Sequence, residues 1–253
     1  MLKIIVHGYN GKMGRAICDI TGKKSDCEVV AGIDVFPSAS GIPFPTFTNI
    51  NDCDMRADVI IDFSVAHAVP AIIDYAVRNK TPLVLCTTGL SDQTLELIET
   101  SSKEVAILHS ANMSVGINLI ANLLSKVVSV LDDSNFDIEI VEKHHNQKID
   151  APSGTALLLA DAIKKASANN YDYIYDRSKT REKRSANEIG IHAVRGGTIV
   201  GEHSIIFAGK DEVIEISHSA ASKEIFAVGA IKAAKYLAGK PAGLYSMNDV
   251  MQG

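Results

Sequence analysis

Leu2-Lys3-Ile4-Ile5-Val6-His7-Gly8-Tyr9-Asn10-Gly11-Lys12-Met13-Gly14-Arg15 joins a short β-branched run to a glycine-rich turn and then to residues of helical composition. The run has strand length. The turn sets backbone N–H groups at a helix start, where the helix dipole favours an anion such as a pyrophosphate. Its spacing is G-x-x-G-x-x-G. Asn10 stands where the more usual G-x-G-x-x-G has its second glycine, and asparagine enters the left-handed backbone region more readily than most residues. A second apolar run, Glu28 to Ile33, leads to Asp34, twenty residues after Gly14. A carboxylate there can accept hydrogen bonds from an adenosine ribose. The plainer reading, a tight turn with Asp34 capping a loop, leaves the order of strand, turn, helix, strand and acid unexplained.

Outward from this unit the first half keeps the same grammar. Strand-like runs at Asp58 to Asp62, Pro82 to Cys86 and Val105 to Leu108 alternate with helical segments starting near Lys12, Ala66 and Ser91. That alternation predicts βαβ units and a parallel sheet covered on both faces. Ligands in such sheets lie beyond the carboxyl ends of the strands, which draws in the turns Asp62-Phe63-Ser64 and Cys86-Thr87-Thr88-Gly89. Pro37 to Pro45 is rich in Pro, Gly and Ser and reads as a loop.

From Gly116 to Leu131 the apolar period is helical. The pattern then changes to strand-like runs at Phe136 to Val141, Ile191 to Val194, Thr198 to Phe207 and Glu212 to Ser217, with one helix from Thr155 to about Ala166. This predicts an α+β domain with a mixed or antiparallel sheet. A last helical segment, Ser222 to Ala238, is closed by Gly239 and Pro241 and can return to the first domain. The expected fold class is therefore α/β, a Rossmann-like doubly wound parallel sheet with a second α+β domain. The expected division is residues 1–114 with 223–253 for dinucleotide binding, and 115–222 for substrate binding and oligomerisation. The basic run Arg177 to Arg184 reads as solvated surface and receives no chemistry.

At 253 residues, 46% hydrophobic and 22% charged, the chain can bury a sizeable core in one large or two modest domains. Thirty acidic residues against 25 basic ones leave a net charge of -5, so no overall positive field draws nucleic acid or an anionic membrane. Cys18, Cys27, Cys53 and Cys86 are too few and too scattered for a disulfide framework and read as free thiols. Leu2 to Gly8 is too short for a signal peptide and shows no cleavage site, and no stretch reaches membrane-spanning length. A cytoplasmic protein is expected.

The second half concentrates chemistry in Glu142-Lys143-His144-His145-Asn146-Gln147-Lys148-Ile149-Asp150-Ala151-Pro152-Ser153-Gly154-Thr155, which runs from a strand to a helix start. Ser153, Gly154 and Thr155 offer hydroxyls and backbone N–H groups at that start, a pocket suited to a carboxylate, and Lys148 adds positive charge. Imidazole titrates near neutrality, so His144 or His145 can supply the proton that reduction of a conjugated imine needs. Adjacent histidines on an extended strand face opposite ways and have no cysteine or H-x-x-x-H partner, so no metal is expected. For any one of these residues an N-cap or exposed-loop role would suffice; the clustering points to a site.

The segment HHNQKIDAPSGTAL, His144 to Leu157, resembles the signature of bacterial dihydrodipicolinate reductases. The resemblance extends to Lys12-Met13-Gly14, Asp62-Phe63-Ser64, Thr87-Thr88-Gly89, Ser110 to Gly116, Arg195-Gly196-Gly197, Gly201-Glu202-His203, Phe226 to Ala230 and Gly243-Leu244-Tyr245. It implies reduction of a cyclic imine dicarboxylate to tetrahydrodipicolinate in lysine and diaminopimelate biosynthesis, with NADH or NADPH as cofactor. It further implies that His144 is the general acid and base and that Lys148 binds substrate and assists protonation. His145, Ser153, Gly154 and Thr155 would hold a substrate carboxylate. Cofactor contacts are implied for Gly8, Tyr9, Asn10, Gly11, Lys12, Met13 and Asp34, for Cys86, Thr87 and Thr88, and for Ser110, Ala111, Asn112 and Met113. Cys86 departs from the family's glycine and sets a thiol where it could crowd the nicotinamide. A homotetramer built through the second domain's sheet is implied as well. Two other readings stand beside this one: another two-domain amino-acid dehydrogenase, such as an aspartate dehydrogenase, and a non-catalytic dinucleotide-binding redox sensor. Neither needs the His144 to Thr155 segment.

Overall fold

The structure, a computed structural model, describes residues 1–36, 41–132 and 135–253. In chain order the first elements are β1 (Leu2–His7), α1 (Lys12–Thr21), β2 (Cys27–Ile33), β3 (Thr46–Phe47), β4 (Val59–Asp62), α2 (Val69–Asn79), β5 (Leu83–Leu85), α3 (Asp92–Ser101) and β6 (Ala106–His109). They are followed by α4 (Val115–Leu131), β7 (Asp137–His144), α5 (Gly154–Ala166), β8 (Asp172–Ile174), β9 (Glu188–Arg195), β10 (Gly201–Ala208) and β11 (Val213–Ala220). The chain closes with α6 (Glu224–Leu237), β12 (Gly243–Tyr245) and α7 (Met247–Gln252). Contacts divide it into two units, Met1–Val115 with Glu224–Gly253, and Gly116–Lys223.

The first unit is a seven-stranded sheet in the order β12-β6-β5-β4-β1-β2-β3, and every pairing in it is parallel. Side-chain alternation feeds two cores. Ile4 and Val6 of β1 join Ile17 of α1 with Ala230, Ala234 and Leu237 of α6, while Ile5 joins Ile72 and Ile73 of α2 and Ile98 of α3. Both faces are therefore covered, and the strands read as continuous apolar runs for that reason. From β1 the chain builds outward through β2 and β3, then crosses back to β4, β5 and β6. The reversal between β1 and β4 opens a crevice at the carboxyl ends of the strands, where this class of sheet binds ligands.

The second unit holds a five-stranded mixed sheet in the order β11-β10-β7-β9-β8. β9 runs parallel to β7 and β8, and β10 runs antiparallel to β7 and β11. Ile138, Ile140, Ile191, Ile205 and Phe207 from the sheet pack with Ile117, Leu124 and Val128 of α4 and Leu159 and Ile163 of α5.

Several boundaries differ from the sequence reading. β7 continues three residues past the expected end and takes in Glu142 and His144, and β10 starts at Gly201 rather than Thr198. β3, β8, β12 and α7 are additional; at two to six residues they are too short for a period to emerge. Within the expected loop at 37–45, residues 37–40 lie outside the described residues. The basic run is not simply solvated. Arg184 bonds Glu139 at 3.2 Å, the carbonyls of Ile138 and Glu188 at 3.1 and 2.7 Å, and also Asp137. Arg177 pairs with Glu188 at 2.6 Å, so two of the basic residues tie the loop to β7 and β9.

Candidate active site

The glycine turn sits at the crevice of the first unit. Gly8 has φ +79, and a Cβ there would lie 2.7 Å from the Phe63 carbonyl oxygen. At Gly14 a Cβ would lie 2.2 Å from the Gly8 carbonyl oxygen, so any side chain would push the helix off the turn. α1 begins after Gly11 with no side-chain cap, leaving its first N–H groups without the partner that Ser or Asp would supply. Beside it lies a cleft of about 350 Å³ bordered by Gly8, Gly11, Asp34, Val35, Phe36 and Ser64, among others. A backbone cradle at an uncapped helix start, with a carboxylate at the end of β2, fits a dinucleotide's diphosphate and ribose.

Asn10 does not use the left-handed region: among the described residues only Lys80 and Asn135 do so outside glycine. It works through its side chain instead, donating to the Phe36 carbonyl at 2.6 Å and accepting from Arg15 at 2.8 Å. Asp34 accepts from the N–H groups of Asn10 at 3.2 Å and Phe36 at 3.0 Å, which ties the turn to the end of β2. Tyr9 is buried with its ring edge-on to Phe44, so it faces the crevice through its backbone. Lys12 is exposed and Met13 half-buried at the first turn of α1.

The remaining expected cofactor residues lie at the carboxyl ends of the neighbouring parallel strands. Cys86 follows β5, and its thiol is buried in the core with Val84 and Leu108. Burial, with the nearby Asp62 charge, pushes the thiol pKa well up. Thr87 is buried and donates to Asp62 at 2.6 Å, whereas Thr88 is exposed. After β6, Ser110 donates to the Asn112 carbonyl at 2.9 Å, Ala111 is exposed, and Met113 is buried in the core.

In the second unit, alternation along β7 puts Ile138, Ile140, Glu142 and His144 on one buried face, so the apolar stripe becomes a polar one at the strand's end. Glu142 is fully buried. Its carboxylate lies 2.6 Å from His144 Nδ1, takes two bonds of 2.7 Å from Arg195 and accepts from the Ser153 N–H at 2.9 Å. Burial opposes charge on Glu142, but the bonds from Arg195, His144 and Ser153 outweigh it and hold its pKa below the usual range. For His144, burial lowers the pKa more than Glu142 raises it, with Lys148 and Arg195 adding to the lowering. The bond at Nδ1 leaves Nε2 as the ring nitrogen open to another partner. A Cβ at Gly201 would lie 3.1 Å from that atom, so glycine keeps the space beside it clear.

Ser153 is the N-cap of α5, accepting from the Ala156 N–H at 3.1 Å, and its hydroxyl lies 3.1 Å from His203 Nε2. Its N–H goes to Glu142, so Ser153 also ties the start of α5 to β7. Gly154 is exposed at the helix start, Thr155 is half-buried beside it, and His145 is half-buried just after β7. Lys148 Nζ holds both oxygens of Asp150 at 2.8 Å. The Gly154 N–H also supports that carboxylate, which first Lys148 and then the helix start hold below the usual range. A carboxylate thus already sits on the lysine and the start of α5. His203 is buried beside His144, ring centroids 5.2 Å apart, and burial together with that neighbour lowers its pKa to about 4.

Sequence reasoning assigned no role to Glu142, Arg195 or His203. The period-two spacing of Glu142 and His144 on a strand was the available signal for the first. The other two come from β9 and β10 and meet β7 only through sheet pairing.

Comparison with known proteins agrees along the whole chain. The family model described as dihydrodipicolinate reductase, N-terminus, matches residues 2–113, and the one described as dihydrodipicolinate reductase, C-terminus, matches residues 116–251. A protein of Clostridium tetani named 4-hydroxy-tetrahydrodipicolinate reductase is 52% identical over 251 residues, covering 99% of this chain and 97% of that one. One of the same name from Caldanaerobacter subterraneus subsp. tengcongensis is 50% identical, covering 100% and 99%. The fold matches that of a dipicolinate-bound dihydrodipicolinate reductase from Paenisporosarcina sp. TG-14, with a TM-score of 0.80, 23% identity and 98% of both chains covered. The chain belongs to the dihydrodipicolinate reductase family.

Proposed function

We propose that this chain reduces the cyclic imine dicarboxylate dihydrodipicolinate, formed from 4-hydroxy-tetrahydrodipicolinate, to tetrahydrodipicolinate in lysine and diaminopimelate biosynthesis. The observation that carries the reading is in the second unit. An imidazole aimed by a buried carboxylate stands near a lysine and a helix start that already grip a carboxylate, that of Asp150.

NADH or NADPH, when bound, supplies the hydride. The backbone from Gly8 to Met13 holds its diphosphate and Asp34 its ribose, with Cys86 to Thr88 and Ser110 to Met113 lining the rest. Lys148, His145, Gly154 and Thr155 position the substrate's carboxylates, Lys148 and Gly154 exchanging Asp150 for the substrate. Ser153 contributes by building the helix start and anchoring Glu142. His144, held through Nδ1, delivers the proton from Nε2 to the enamine that hydride addition leaves, and Lys148 supports that protonation electrostatically. The same reading makes the chain a cytoplasmic enzyme acting as a homotetramer, in keeping with its four free cysteines and with a Val213 left exposed on the edge strand β11.

Inhibition by dipicolinate tests the substrate assignment. This planar dicarboxylate presents both anionic groups and accepts no hydride, so it should compete with substrate, and a crystal of the complex should show it against Thr155. Inhibition that substrate cannot relieve, or binding elsewhere, contradicts the proposal.

A further inference from the structure

His7, the last residue of β1, was given no role by the glycine motif. Its Nδ1 lies 2.6 Å from Asp62 Oδ1 at the end of β4. Asp62 is fully buried, and its second oxygen accepts the Thr87 hydroxyl at 2.6 Å while the first also accepts the Ser64 N–H at 3.3 Å. One carboxylate thereby joins the ends of β1 and β4 to the turn after β5.

The His7 side chain is 11% exposed, and the residue borders the same cleft as Gly8, Gly11 and Asp34. Among the described residues its Nε2 has no hydrogen-bond partner. With Nδ1 taken by Asp62, a largely buried imidazole beside an uncapped helix start offers Nε2 to an anion in that cleft.

We infer that His7 is a diphosphate-binding residue of the dinucleotide site, aimed by Asp62, which also orients Thr87. Nδ1 is held by Asp62, and Nε2 is the ring nitrogen that bonds a phosphate oxygen. A charge-assisted bond of this kind adds to what the α1 N–H groups supply. Asp62 and Thr87 are positioning residues: with the Thr87 proton spent on Asp62, that hydroxyl faces any ligand as an acceptor. The inference rests on the glycine turn being the dinucleotide site.

Two substitutions separate a ligand contact from a scaffold role. His7→Asn keeps a donor near the Nδ1 position and has nothing at Nε2, whereas His7→Gln reaches the Nε2 position. Binding of ADP-ribose and of adenosine to the full chain is measured by calorimetry, together with the melting temperature. His7→Asn should lose about tenfold in ADP-ribose affinity, the size of one bond to a charged group, with adenosine affinity and melting temperature kept. His7→Gln should recover most of that loss. Wild-type affinity for ADP-ribose in His7→Asn, or equal losses for adenosine and ADP-ribose, overturns the inference. Failure of the unmodified chain to bind ADP-ribose at all overturns the reading of the turn, and this inference with it.

Discussion

Glu142 Oε2 lies 2.6 Å from His144 Nδ1, two residues away on the same buried face of β7. The contact fixes the ring, leaves Nε2 free for the proton transfer proposed for it and opposes the lowering of the His144 pKa by burial. Replacing Glu142 with Gln removes the raising effect and leaves Arg195 without its carboxylate, and both changes push the imidazolium toward losing its proton. The alkaline limb of kcat/KM, which reports loss of the acid form, should therefore move to lower pH, a shift a purely structural role would not produce. An unmoved limb with only a lower melting temperature would reduce Glu142 to scaffolding.

Lys148→Ala removes the cation that holds a carboxylate at the start of α5. KM should rise and kcat should fall, each by about tenfold, because the charge acts on both bound substrate and its protonation. Steady-state kinetics at saturating cofactor decide it. A fall in kcat with KM unchanged would argue against a clamp.

Cofactor choice follows from the end of β2. Asp34 is followed by Val35 and Phe36, which are 69% and 78% exposed and carry no charge to meet the extra phosphate of NADPH. NADH should be used at least as efficiently, and Val35→Arg should move the ratio toward NADPH. Kinetics with both cofactors at fixed ionic strength test this, and a wild-type preference for NADPH of about tenfold, ~1.4 kcal/mol, contradicts it.

His203 makes the second unit sensitive to acid. Its pKa is lowered from 6.5 to about 4 on folding, by burial first and by His144 next. Between those values the unfolded chain binds a proton that the folded chain refuses, so stability present above 6.5 is lost as pH falls toward 4. Melting temperatures across that range should drop, and His203→Gln, which keeps a partner for Ser153 without titrating, should flatten the slope. An equal slope in the variant assigns the acid sensitivity elsewhere.

The parallel sheet was legible because each strand is buried on both faces and each helix carries its own period, as Ile4 to Val6 and Ile17 illustrate. The nearness of His144 and Lys148 was legible because they are close in sequence. Arg195 and His203 were not, since they reach Glu142 and Ser153 only through the pairing of β9 and β10 with β7. Ser153 caps α5, accepting from the Ala156 N–H beside His203, a role its place before Gly154 and Thr155 made legible. The burial of Cys86 was not legible, because strand alternation at a strand's end does not say which face the next residue takes.

The most direct test is turnover of His144→Gln, measured as loss of nicotinamide absorbance with the cyclic imine substrate, beside the dissociation constant for NADH. Proton delivery from Nε2 predicts a kcat lower by about a hundredfold or more, with NADH affinity unchanged. Wild-type turnover in that variant would contradict the account.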